Sequence, residues 1–107
     1  AENVPTVIFD EVDTGVSGKT SHKIGIKLRE ISKYSQTFCV THSAQVAVTA
    51  HNHYKISKNE VDGRSQTRVD LLDDNGRVEE IARIMGGVQI TEKIKETAKE
   101  MILTAQI

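Results

Sequence analysis

Two short apolar runs about thirty residues apart constrain this chain more than any other feature. Thr6-Val-Ile-Phe9 is apolar toward both faces and stops at Asp10-Glu11, and Phe38-Cys-Val40 repeats the pattern and stops at Thr41-His42. A run apolar on both sides reads as a strand of a parallel sheet covered on both faces. Between the runs, Gly15 and Gly18 break the chain, Ser17 is available as an N-cap, and Ile24, Leu28 and Ile31 recur at helical spacing. Strand, long crossover and strand make a βαβ unit, whose strands pair in parallel. Both strands then end at the same edge of the sheet, where open α/β sheets hold their ligands.

The remaining signals are shorter. Residues 43–50 read as a brief helix with Ser43 near its start, and Tyr54-Lys-Ile-Ser57 and Val69-Asp-Leu71 alternate as strands. Asp62-Gly63 between them is a hairpin signal, read here with a connection longer than two residues and placed at the sheet edge. Asp74-Asn-Gly76 marks a turn before a helix over residues 78–85, which Gly86-Gly87 stops. Thr91 caps a last helix with Ile94, Ala98, Met101, Ile102 and Ala105 on one face. The expected fold is α/β, a mainly parallel sheet flanked by helices with an antiparallel edge hairpin, and its 107 residues allow one domain. With 14 Lys and Arg against 15 Asp and Glu, no global charge draws the chain to nucleic acid or membrane. The single Cys39 excludes an internal disulfide and suits a reducing cytoplasm. No apolar run approaches the roughly 20 residues of a membrane span. The first strand begins only a few residues in, as though the chain were cut from something longer.

The two strand ends carry the chemistry. Asp10 can hold Mg²⁺, since hard cations prefer carboxylate oxygens. Glu11 can orient and deprotonate a water attacking a phosphate, a role worth roughly 10²–10⁴-fold in rate. Against this stands a plainer reading, in which the pair ends a strand and begins a turn. His42 can hydrogen-bond a terminal phosphate or simply cap the following helix.

Val7-Ile-Phe-Asp-Glu11 resembles the Walker B segment of ABC-type ATPases, Thr14-Gly-Val-Ser17 falls where those proteins have the D-loop, and Val40-Thr-His-Ser43 resembles their switch-histidine loop. More narrowly, Ile8 to Gly18, Cys39 to Ala47 and Arg77 to Gly87, in that order and spacing, are similar to the C-terminal part of the RecN family, SMC-related ATPases of bacterial double-strand-break repair. The resemblance implies that Asp10 binds Mg²⁺, that Glu11 is the catalytic base and that His42 contacts the γ-phosphate of ATP. It also implies that Thr14, Gly15, Val16 and Ser17 face a second head across the nucleotide. Ser17 stands where many ABC proteins have an Asp, so no salt bridge is carried over to that position. Neither a Gly-x-x-x-x-Gly-Lys-Ser/Thr phosphate loop nor a Leu-Ser-Gly-Gly signature occurs in the sequence. The resemblance thus implies the C-terminal lobe of a head (residues 1–107), with the N-terminal lobe and coiled coil lying elsewhere. That lobe is expected to be inactive alone, because phosphate-loop amides and Lys hold the β- and γ-phosphates during transfer. The implied partners are the rest of its own head, a second head of a homodimer and DNA, held by backbone contacts near the nucleoid, with no membrane.

Other patterns compete. Cys39, His42, His51 and His53 suggest zinc, at a spacing shorter than common structural sites use. Lys19, Lys23 and Lys27 repeat at i, i+4 and i+8, as either a DNA-backbone footprint or a solvated face. A Toprim-like reading has Asp10 and Asp13 binding Mg²⁺ for strand cleavage. A third reading is a non-catalytic interaction module, which leaves the acidic strand end unexplained.

Overall fold

In the computed structural model, which describes residues 5–87 and 89–106, the two apolar runs form β1 (Thr6–Asp10) and β2 (Gln36–Val40). They pair in parallel, Thr6 opposite Gln36 and Asp10 opposite Val40, so both chains leave the sheet at one edge. Val7, Phe9, Thr37 and Cys39 turn to the covered side. The opposite side is open, with Ile8 69% exposed and Phe38 and Val40 also exposed. The expected burial on both faces is therefore absent among the described residues: one face is half-buried and the other is open.

The crossover is α1 (Gly18–Ile31), whose first turn is capped by Ser17, with Oγ accepting from the Thr20 N–H at 3.3 Å. Its fully buried residues are Ser21, Gly25 and Leu28, while Ile24 and Ile31 are half-buried. The contact stripe is thus turned toward small residues relative to the apolar spacing. The reason is the close crossing of α2 (Ala44–Ala47), a single turn and shorter than expected. A Cβ on Gly25 would lie 2.7 Å from Thr49 Cγ2 and 3.1 Å from the Gln45 carbonyl oxygen. Ser43 occupies the N-cap position of α2 without a side-chain cap hydrogen bond.

The hairpin corrects the sequence reading twice. β3 (Tyr54–Val61) and β4 (Arg64–Leu71) are longer than their alternating cores, and they form a separate two-stranded sheet rather than an edge of the first. Val61 pairs directly with Arg64, so the connection is only Asp62-Gly63, with φ of +52° and +75°. Two left-handed residues in a two-residue loop make the type I′ turn, which glycine accommodates without a Cβ penalty.

α3 (Asp74–Gly86) starts earlier than expected. Asp73 is its N-cap, accepting from the Gly76 N–H at 2.7 Å, so Asp74-Asn75-Gly76 is a first helical turn rather than a separate one. Gly87 ends the helix at φ +66°. α4 (Glu92–Ala105) is capped by Thr91, whose hydroxyl accepts from the Ile94 N–H at 3.2 Å. Its expected apolar face packs as read. Ala98 is buried with Ala47, Val48, Ile81 and Ala82, and Ile94, Met101, Ile102 and Ala105 lie against them. Arg77 is the buried polar anchor of this core, its Nη2 reaching the carbonyls of Ala47, Val48 and Ala50 at 3.2, 3.2 and 2.6 Å. Those carbonyls lie at and just beyond the end of α2, where the Gln106 side-chain amide also reaches Val48 and Ala50.

Candidate functional site at the carboxyl edge of the parallel pair

Beyond the last β1–β2 pair, the two chains stay tied together. The Glu11 N–H donates to the Val40 carbonyl at 2.8 Å, one step past the register. Glu11 itself adopts φ +52°, a left-handed backbone that an L side chain occupies only when its surroundings hold it there. The turn continues with the Thr14 N–H bonded to the Glu11 carbonyl at 3.2 Å and the Val16 N–H to the Asp13 carbonyl at 3.4 Å. It then feeds Ser17 into the cap of α1. Parallel pairing places His42 beside this turn, its Nε2 2.7 Å from Glu11 Oε1. Glu11 and His42, both named from sequence, are therefore brought into contact.

The pair is open to solvent, the side chains being 44% exposed for Glu11 and 87% for His42. Exposed ion pairs contribute about 0–1 kcal/mol, so this contact alone does not fix the loops. The rigid link lies beneath it. Asp13 is 8% exposed, and its Oδ2 accepts from the Thr41 hydroxyl at 2.5 Å. The same hydroxyl oxygen accepts from the Ser43 N–H at 2.9 Å. A hydrogen bond to a buried carboxylate contributes about 1.5–3 kcal/mol, more than the exposed pair above it. Sequence reading gave neither residue this role: Thr41 entered only as part of a motif, and Asp13 only as a metal ligand. The parallel register was the available signal, since it sets residue 41 against the turn that follows residue 10.

Glu11, Asp13, Thr14, Gly15, Val16 and His42, with Gly18, Ser21 and Ser43, line a shallow depression of about 390 Å³. Asp10 is exposed at the strand end. Carboxylate and hydroxyl oxygens dominate this edge, the donor chemistry a hard divalent cation accepts. The zinc residues do not assemble: among the described residues, no three His, Cys, Asp or Glu side chains converge. The Cys39 thiol is pushed up by burial and then by the carboxylates of Asp13 and Asp10, which disfavours the thiolate that a zinc site requires. His53 belongs to the base of the hairpin, where burial and then the Arg77 charge hold its imidazole below the usual range. The Toprim-like pairing of Asp10 with Asp13 is likewise not supported, since Asp13 is buried and its Oδ2 is taken by the Thr41 hydroxyl.

The comparisons with known proteins bear on the same segments. No family model matches the chain. The DNA repair protein RecN of Halalkalibacterium halodurans is 52% identical over 101 residues, 94% of this chain. The chain is RecN-like. RecN of Xylella fastidiosa and of Bacillus subtilis are each 44% identical, over 98% and 97% of the chain. The chain spans only 18–19% of the length of these RecN proteins. A solved structure from work on ATP-driven dimerization and DNA-stimulated activation of SMC ATPases superposes with a TM-score of 0.62 at 21% identity, covering 85% of this chain and 52% of the other. That likeness shows the α/β fold alone. Among the described residues, no helix is long and apolar enough to cross a membrane.

Proposed function

We propose that this RecN-like chain supplies the metal-and-water side of an ATP-hydrolysing head in a DNA-repair ATPase. The observation that carries the reading is the meeting of Glu11 and His42 at 2.7 Å, at the edge where the two parallel strands end. Asp10 is the residue that would hold Mg²⁺, directly or through water. Bound there, the ion would neutralise charge on the β- and γ-phosphate oxygens. Glu11 takes a proton from the attacking water as the water oxygen bonds to the γ-phosphorus. The bond to the β–γ bridging oxygen breaks, its electron pair leaves with ADP, and inorganic phosphate is released. His42 donates to a γ-phosphate oxygen and orients the Glu11 carboxylate beside it. Thr14 to Ser17 form the surface that meets a second head of a homodimer. The phosphate cradle comes from the rest of the protein's own head, and without it this lobe hydrolyses nothing. DNA is the macromolecule served, bound by backbone contacts, with Lys19, Lys23 and Lys27 of α1 as candidate contacts.

Steady-state ATP hydrolysis by the complete protein tests the reading. Asp10→Asn and His42→Ala should each lower kcat by roughly 10²-fold or more, the scale of losing one positioned charge or donor in phosphoryl transfer. Unchanged turnover in both variants would remove the strand-end site from the reaction.

A further inference from the structure

We propose that Thr41 and Asp13 are positioning residues that hold the base and the histidine in register across the strand ends, an inference that rests on the reading of Glu11 as the base. The two segments carrying Glu11 and His42 are joined by two bonds besides the contact of those side chains. One is backbone, from the Glu11 N–H to the Val40 carbonyl. The other is the Thr41 hydroxyl donating to Asp13 Oδ2. The first fixes only the peptide where the turn begins. The second lies on the far side of Glu11, two residues along the turn, and it is part-buried on a buried carboxylate, whereas the Glu11–His42 pair is exposed. Together they bracket Glu11 between Val40 and Thr41, which accounts for a left-handed backbone at a residue with a long side chain.

Thr41 suits this place because its hydroxyl serves both directions at once. It donates to Asp13 and accepts from the Ser43 N–H, so the segment carrying His42 is bent around the same oxygen. Asp13 precedes Thr14 to Ser17, so the surface proposed to meet a second head is anchored to the histidine loop through one carboxylate. Removing the hydroxyl would leave Asp10 and the phosphate cradle in place but free Glu11 and His42 to move apart. The loss should therefore fall on kcat rather than on KM.

The test uses the complete protein and ATP, with Glu11→Gln measured alongside. Thr41→Val and Asp13→Ala should each lower kcat about tenfold with KM within about twofold, and Thr41→Ser should restore most of it. In the double variant the loss should match that of either single variant, because both remove the same bond. Losses that multiply, or a Thr41→Ser variant as slow as Thr41→Val, would overturn the proposal. Where one single variant fails to fold, the kcat-against-KM split of the other carries the decision. Turnover lost in Glu11→Gln but kept in Thr41→Val and Asp13→Ala would overturn the positioning role alone. Turnover kept in Glu11→Gln would overturn the base reading and this proposal with it.

Discussion

Arg77 shows how much of this fold depends on single polar side chains. Its guanidinium is buried, and one nitrogen serves three carbonyls at the end of α2. Burial, and then the charge of Arg29, push the group below its usual range, yet it finds carbonyls enough to stay in place. Replacing it with Ala removes the charged donor that those carbonyls share with the Ala50 N–H and the Gln106 side-chain amide, and thermal unfolding should show a loss of about 1.5–3 kcal/mol. Lys should not restore this, because an ammonium is more strongly hydrated than a guanidinium and costs more to bury. An Arg77→Lys protein as stable as the parent would contradict the anchoring role. In the sequence, Arg77 was only the first residue of a matched block, since burial of a charged side chain has no local signature. Glu11 and His42 were legible for the opposite reason, being polar residues that directly follow apolar strands.

At the scale of elements, periodicity and caps were legible, while close approaches were not. Ser17 and Thr91 cap α1 and α4 as their positions suggest. Gly25 reads locally as a weakness of α1, costing about 1 kcal/mol against Ala. In the fold it is where α2 crosses, and an added Cβ would meet Thr49 at 2.7 Å. Overpacking of this kind costs about 1–3 kcal/mol, which offsets or exceeds the helix-propensity gain. Gly25→Ala should therefore lower the melting temperature, and a rise would show that α1 and α2 separate without penalty. The hairpin loop was misread as longer because its strands extend past their apolar cores into polar residues. Lys58, Asn59 and Glu60 pair with Thr67, Gln66 and Ser65 although none of them signals a strand. Asp74-Asn75-Gly76 was misread because a turn and a capped first helical turn use the same residues, and only the bond from the Gly76 N–H to Asp73 distinguishes them.

At the scale of the molecule, the order of strands and helices follows from the sequence, but the division into two sheets does not. Nothing local states that β3 and β4 pair only with each other, since pairing across a sheet is a long-range property. The open side of β1 and β2, with Ile8, Phe38 and Val40 exposed, departs from the apolar pattern for the same reason. The RecN resemblance was legible because three separated blocks occur in order. Two of them, distant in sequence, meet at the edge where the candidate base and histidine touch. If Glu11 activates the water at that edge, steady-state ATP turnover by the complete protein carrying Glu11→Gln should register the loss. Gln keeps the size and a hydrogen-bonding oxygen but cannot take the proton. Turnover should fall by roughly 10²–10⁴-fold while ATP-driven association of heads persists. Turnover at the wild-type rate would remove Glu11 from the base role.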